Sequence, residues 1–266
     1  MPVKFLSLSS GSNGNCYVIF NDECAVMIDA GVGMRRAGKA LKGAGIGLDD
    51  IDLVLVTHDH SDHVRHLGRF VGKFALPVYT TPVLCRVFAN DRRMPEVTNA
   101  FLKPCECMSQ TAYKGFSFIP FRVGHDATET VGYFMDFYGE KIMLLTDLGR
   151  VPEPVFGMAR QCGHIIVESN YDFDMLLCGP YTRELKARIM GDNGHLSNDD
   201  CASFVKRVYH EGLKHVFLCH LSDHNNTPKT AYECTKAALA EIGVVPGRDL
   251  MLYPLPRREA SEVIEL

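Results

Sequence analysis

The sequence predicts an α/β protein, a four-layer αββα sandwich built as a single domain over residues 1–266. Three observations carry that expectation. Short apolar runs with glycine-rich punctuation fill two blocks of the chain, and helical periodicity follows each block. Two strand-rich halves with their own helices bury their apolar faces as two sheets packed together, helices outside. Finally, 46% hydrophobic and 23% charged residues suit a soluble globular protein with a sizeable core.

Val3–Leu8, Cys16–Phe20 and Ala25–Asp29 read as strands, with Gly11, Gly14, Gly31 and Gly33 at the turns between and after them. Met34–Lys42 reads as a helix and Leu53–Thr57 as the next strand. A helix over Val64–Phe74 and a strand over Pro77–Thr80 complete the first block. Phe116–Arg122, Val131–Tyr138 and Lys141–Thr146 open the second. The chain then alternates: strands at Ile165–Glu168 and His215–Cys219, helices at Tyr181–Met190, Asp199–Tyr209 and Thr230–Ile242, and a last strand at Asp249–Tyr253. There is no internal repeat, low-complexity segment or obvious linker.

A formal charge of −4 argues against a nucleic-acid-coating protein, though a local basic groove remains open. No apolar stretch approaches the ~18 residues of a membrane span. Met1-Pro2-Val3-Lys4 does not start a signal peptide, so the cytoplasm is expected and no membrane partner. The ten cysteines are scattered, mostly inside apolar runs, as reduced core thiols would be. The close pair Cys105 and Cys107 has no second half and reads as plain loop.

Chemistry concentrates at His58-Asp59-His60-Ser61-Asp62-His63, directly after the apolar run Leu53–Thr57. An extended backbone puts side chains i and i+2 on one side, so His58 and His60 can converge on one ion. A turn after His60 lets Asp62 and His63 face a second. Imidazole and carboxylate are the ligands of open, catalytic sites for zinc or a similar divalent metal. Further candidates follow apolar strands: His125 after Phe121–Gly124, Asp147 after Met143–Thr146, and His220 after Val216–Cys219. Taken singly, each has a plain alternative, a helix cap for Asp147 or a core histidine for His220.

H-x-H-x-D-H, then G-H, T-D and C-H in that order resembles the metallo-β-lactamase fold superfamily in its two-metal form. The resemblance runs from Asp29 in Met27-Ile28-Asp29-Ala30-Gly31 to His220. It implies that His58, His60 and His125 hold one divalent ion, that Asp62, His63 and His220 hold the other, and that Asp147 bridges them. Zinc is expected, with manganese or iron also compatible with all-N/O ligation. A bridging water would lose a proton to the paired cations and attack as hydroxide. Asp29 would tie down the metal loop from behind.

Ser9–Cys16, Glu168-Ser169-Asn170-Tyr171-Asp172, Gly194-His195-Leu196-Ser197-Asn198 and His220-Leu221-Ser222 together look like the YycJ-like (WalJ) branch. That resemblance implies a DNA exonuclease or related phosphodiesterase, similar more distantly to ribonuclease Z and the phosphodiesterase PhnP. It places His195 over the metals, opposite the scissile phosphate. There His195 is either a substrate-side acid that protonates the leaving oxygen, its ring oriented by Glu168, or a residue that only closes the turn before a helix capped by Asn198. The Asp147–His220 interval has no room for the large insertion of ribonuclease J, and no tRNA-gripping arm is visible. The expected substrate is therefore nucleic acid, DNA favoured. Arg35, Arg36, Lys39 and Lys42 form either a cationic strip for a backbone or a solvated helix face. Gly11–Gly14 offers amides to a phosphate or is a simple hairpin turn. His224 is a candidate for the site's mouth; His66, His164, His210 and His215 read as surface or core residues.

The competing enzyme class is hydrolysis of a thioester, lactone or β-lactam by the same centre. A diiron redox protein would replace a first-site histidine with a carboxylate, yet His60 is present. A binding-only module would have lost a ligand, and none is lost.

Overall fold

The computed structural model describes residues 1–91, 94 and 96–266. Its first sheet is assembled from Lys4–Ser9 (β1), Cys16–Phe20 (β2), Ala25–Ile28 (β3), Leu53–Leu55 (β4), Val78–Thr80 (β5) and Leu102–Pro104 (β6). The second takes Thr111–Tyr113 (β7), Phe116–Val123 (β8), Thr130–Phe137 (β9), Glu140–Leu145 (β10), His164–Glu168 (β11), His215–Cys219 (β12) and Met251–Pro254 (β13). Ile264–Glu265 (β14) returns to the edge of the first sheet beside β1. Among the described residues each sheet has seven strands, in orders β14-β1-β2-β3-β4-β5-β6 and β13-β12-β11-β10-β9-β8-β7.

The helices are Met34–Gly43 (α1), Ser61–Val64 (α2), Leu67–Phe74 (α3), Pro82–Asn90 (α4), Glu153–Ala159 (α5), Phe173–Cys178 (α6), Arg183–Ile189 (α7), Asn198–Val208 (α8) and Pro228–Ala240 (α9). Helices α1, α3, α4, α5, α8 and α9 cover the outer faces. Alternation along each strand decides which side chain goes where. On β10, Ile142 and Leu144 point between the sheets, whereas Met143 and Leu145 meet the helical layer. On β12, Phe217 and Cys219 point inward, Val216 and Leu218 outward. Phe217 crosses the interface to Phe5 of the other sheet, ring centroids 4.5 Å apart. Truncating so buried an aromatic costs about 3–5 kcal/mol. On the other side α1, α3 and α4 pack Ala37, Leu41, Phe70, Val71, Leu84 and Phe88 onto the first sheet. The four-layer αββα sandwich is thus the observed architecture, in one domain.

Several elements differ from their sequence reading. The helix expected over 64–74 is two pieces, because Arg65 and His66 turn between α2 and α3. The sequence places the cap of the helix before β12 at Asn198, whereas α8 begins there and Ser197 caps it, its hydroxyl accepting from the Asp200 amide. The short edge strands β6, β7 and β14 and the helices α4, α5 and α6 carry no apolar run long enough to announce them. Among the described residues no helix is long and apolar enough to cross a membrane.

Strand polarity brings the polar loops to one rim. β3 to β6 run parallel, as do β10 to β13. Two antiparallel steps through β9 give β8 the direction of β10. Loops leaving β3, β4, β8, β10, β11 and β12 therefore begin at carboxyl ends, where α/β sheets place their ligand crevices.

Candidate metal centre

Ligand atoms of His58, His60 and His125 lie within 4.8 Å of one another, and so do those of Asp62, His63 and His220. His58, His63 and Asp147 form a third such group that joins the other two. The ring contacts agree: His58 centroids lie 4.0 Å from His63 and 4.8 Å from His60, and His60 is 5.0 Å from His125. All seven sequence candidates are thus gathered at one rim.

Hydrogen bonds behind the rings decide which nitrogen faces the centre. Nδ1 of His63 meets Asp29 Oδ2 at 2.7 Å, that of His125 the Gly194 carbonyl at 2.8 Å, and that of His220 Glu168 Oε1 at 2.8 Å. The Thr57 hydroxyl donates to Asp29 and so accepts from His58 Nδ1, at 3.0 Å. In these four rings the Nδ1 proton is spent and the Nε2 lone pair is aimed inward. His60 is turned round. Its Nε2 meets the Asp126 carbonyl at 3.3 Å, which leaves Nδ1, 3.3 Å from His125 Nε2, as its ligand atom. Such outer partners fix ring orientation and tautomer at metal sites. Nε2 of His58 and of His220 are buried with no hydrogen-bond partner at all. Two orphaned imidazole lone pairs beside converging carboxylates fit divalent cations, and little else.

Electrostatics agree. Burial lowers the His63 pKa, but Asp147 and Asp29 outweigh it and push the ring up to about 10. A pocket that holds a proton so tightly attracts any cation.

The backbone is bent to the same end. Asp29, Asp147 and His220 adopt left-handed φ of 59°, 53° and 52° just beyond β3, β10 and β12. Non-glycine residues in that region are uncommon and cluster at functional sites. The turn swings each side chain off its strand into the crevice. Gly31 is required for another reason: a Cβ there would lie 1.7 Å from the Asp62 carbonyl oxygen. Its missing side chain lets the loop after β3 sit against the metal loop, where Asn15 N also reaches Asp62 O at 2.8 Å.

Residues 10–153 match the family model of the Metallo-beta-lactamase superfamily. Exodeoxyribonuclease YycJ of Bacillus anthracis is 32% identical over 256 residues, 95% of each chain. The chain belongs to that superfamily, in its YycJ/WalJ branch. Exodeoxyribonuclease WalJ of Streptococcus pneumoniae serotype 2 is 28% identical over 263 residues, covering 99% of this chain and 98% of that one. Among solved structures, the metallo-beta-lactamase fold protein YhfI of Bacillus subtilis superposes with a TM-score of 0.71 over the whole of both chains at 14% identity. The superfamily is one of hydrolases and implies divalent metal ions, which this donor set suits.

The branch motifs interlock behind the centre. Asn170 N donates to Leu196 O, Asn198 N to Tyr171 O, and Ser222 N to Asn170 O, stitching the loops after β11 and β12 to the His195 loop. The Asn198 and Asn226 amides pair reciprocally, and Asn226 also donates to the Ser169 and Asn170 carbonyls. Glu168 lies at the middle, fully buried. Its Oε1 meets His195 Nδ1 and His220 Nδ1, each at 2.8 Å, while Oε2 accepts from the amides of Leu148 and Leu196. Asp147, Glu168, His195 and His220 also lie close enough to hold an ion, but those four bonds saturate the Glu168 carboxylate. Burial raises its pKa, yet the His195 charge and the hydrogen bonds of His195 and His220 together outweigh that and hold it below the usual carboxylate range.

Sequence reasoning passed over three contributors. Asn15 donates to Asp62 Oδ2 at 3.2 Å and meets His63 Nε2 at 2.8 Å. Asp59 accepts from both the amide and the hydroxyl of Thr128, fastening the metal loop to the segment after His125. Asp126 touches His60 and His125 and pairs with Arg188. Position was the available signal for all three, since each neighbours or lies inside a quoted motif. Other suggestions fare differently. The Gly11 amide is taken by Asn15 Oδ1 and that of Gly14 by Gly11 O, which makes this loop a self-closed turn. Arg35, Arg36, Lys39 and Lys42 are all exposed on α1, with Arg36 bonded to the Leu8 carbonyl. His224 is exposed, edge-on to Tyr181. The Cys105 thiol donates to Thr80 O, and no cysteine joins a metal-competent group among the described residues.

Proposed function

We propose that this chain is a two-metal phosphodiesterase acting on nucleic acid, most specifically a DNA exonuclease. The observation that carries it is the split of one rim into two ligand sets meeting at Asp147, with His195 outside both. His58, His60 and His125 would hold one ion, Asp62, His63 and His220 the other, and Asp147 both. Zinc suits the donors, and manganese or iron would also be accepted. When bound, the ions supply Lewis acidity, which makes water a nucleophile at neutral pH and offsets phosphate charge.

The remaining work falls to the chain itself. Asp62, half-buried, reaches toward the centre from the start of α2, where Asn15 steadies it. His195 faces the substrate side. Burial lowers its pKa, but Glu168 and Asp147 outweigh that and hold the ring above the ordinary imidazole value. A histidine kept protonated there can donate from Nε2 to the departing oxygen, which is a poor leaving group as a bare alkoxide. Glu168 acts through both histidines as a positioning residue, fixing His195 and His220 at once. The names of the YycJ and WalJ relatives support DNA as the substrate. The ten free thiols suit action in the cytoplasm.

The test is incubation of metal-loaded protein with labelled single- and double-stranded DNA, RNA, cyclic nucleotides and a chromogenic lactam. Stepwise release of nucleotides from DNA is expected. Lactam hydrolysis without cleavage of any phosphodiester would replace this reading by the thioester, lactone or β-lactam class.

A further inference from the structure

A cavity of about 180 Å³ opens beside the metal centre. His195 and Gly194 form part of its wall, and none of the seven candidate ligands does. Tyr181, Leu185, Arg188 and Ile189 supply much of the rest, with Ser12 contributed from the loop after β1. Asp126, Asn170 and Ser222 complete the lining, so one aromatic ring and two aliphatic side chains are set among mostly polar groups. The rim is imidazole and carboxylate. This cavity adds a ring, and a guanidinium that is paired with Asp126.

Position says what belongs there. In hydrolysis of a phosphodiester a new P–O bond forms to the oxygen of water as the P–O bond to the leaving oxygen breaks. The electron pair goes with that oxygen, which takes the proton held by His195, and the ring recovers a proton from solvent. The leaving group must therefore lie on the His195 side of the phosphorus, and there the space available is this cavity. Tyr181 is half-buried and offers a ring face for a base. Arg188 is exposed, tethered by Asp126, and within the same wall. It matches an anionic oxygen one linkage along.

α7 joins recognition to chemistry. It carries Leu185, Arg188 and Ile189, and its last carbonyl, Ile189 O, accepts from His195 N at 2.9 Å. Gly194 permits that contact, since a Cβ there would lie 2.2 Å from Ile189 O. The helix that lines the slot is the one that holds the proton donor.

We propose that this cavity receives the single nucleotide that departs in each cut, its base against Tyr181 and its outer phosphate at Arg188. The assignment rests on the phosphodiesterase reading of the metal centre, and it explains why such a site would release one nucleotide at a time.

Two measurements test it. Calorimetry on the metal-loaded protein compares deoxyadenosine 5′-monophosphate with 2-deoxyribose 5-phosphate, which shares the phosphate but has no base. The nucleotide is expected to bind at least about tenfold more tightly, by roughly the stacking contribution of one base. Tyr181→Ala should erase that preference and leave the sugar phosphate unchanged, whereas Arg188→Ala should weaken both about tenfold. Leu185→Trp, which fills the slot from an intermediate surface position, should act like Tyr181→Ala and guards against a folding artefact in either. In the second measurement, on a DNA oligonucleotide, Tyr181→Ala should raise KM about 5- to 150-fold with kcat within about threefold. Equal affinity for the two small ligands, or a Tyr181→Ala loss shared equally by both, overturns the cavity assignment. A wild type that prefers the nucleotide yet cleaves no nucleic acid overturns the phosphodiesterase reading instead, and the slot's ligand class stands.

Discussion

Strands β10 to β12 bring imidazole and carboxylate together at both ends, and the two ends have opposite characters. At the amino end His164 Nδ1 meets His215 Nδ1 at 2.9 Å with the rings stacked, and His164 Nε2 meets Glu140 at 2.9 Å. Glu140 also takes Lys214, so charge is balanced and both nitrogens of the buried ring are used. At the carboxyl end, about five residues away along the same strands, Glu168 and His220 meet Asp147, Asp62 and His63. There His220 and neighbouring His58 keep buried nitrogens with no hydrogen-bond partner. The amino-end residues have ordinary strand backbone, whereas Asp147 and His220 are left-handed. Residue type therefore does not mark a site. Unspent buried lone pairs at strand carboxyl ends do, and a closed hydrogen-bond account marks architecture.

The contrast is broken most directly by removing a shared ligand. Asp147→Ala should abolish turnover and lose at least one ion per chain by metal analysis, while His215→Gln stays within about twofold of wild type. Full activity with a single ion, or in strong chelator, would end the two-ion reading. Next in size is His195→Ala, which should keep both ions and the fold and lower turnover about 10²–10⁴-fold. The loss should shrink on substrates with activated leaving groups; loss of metal would make His195 a ligand instead.

Glu168→Gln should lower turnover about tenfold and move a pH limb. Glu168 raises the His195 pKa, so rates that need the protonated ring fall as pH rises through that raised value. Without the carboxylate charge the fall should come at lower pH, and an unmoved profile would deny Glu168 its positioning role.

The smallest effect is on stability at the other end. Burial first, then the charges of His164 and Lys214, bring His215 down to about 4. A histidine with a depressed folded pKa contributes stability that is present above about 6.5 and lost as pH falls toward 4. His215→Phe should therefore lose less stability than wild type between pH 7 and 5, by on the order of 1 kcal/mol after allowing for partial exposure. Denaturant midpoints at the two pH values check this, and parallel losses would show that His215 is not the acid-sensitive group.

Much of this was readable from residues alone. The alternation of β8 to β10 and the buried runs of β11 and β12 announced two sheets, because core strands need apolar side chains on a period of two. The candidates His58, His125, Asp147 and His220 were readable because each is the first chemistry-bearing polar residue past such a run, and His60, Asp62 and His63 because they crowd behind His58. What stayed hidden depends on contact between distant segments. Nothing local to Asn15 tells that it will lie on Asp62, or that Asp59 will reach Thr128. The reversal of His60 follows from where the Asp126 carbonyl falls, which is a property of two loops together. The cap of α8 was expected at Asn198, one residue past the true cap Ser197, because Ser and Asn are both good capping residues and sit side by side.

The left-handed turns at Asp29, Asp147 and His220 have a consequence for anyone who evolves this protein in the laboratory. Each such residue is held in a conformation that glycine adopts without penalty and that other residues occupy at about 1–2 kcal/mol. Glycine would relax the turn but strip buried partners: at Asp29 it leaves the Thr57 amide, the Thr57 hydroxyl and His63 Nδ1 without their acceptor, at about 1–3 kcal/mol for each orphaned group. A library sorted by heat resistance alone should therefore keep Asp29, although glycine suits its backbone better. At that turn robustness and turnover select the same residue.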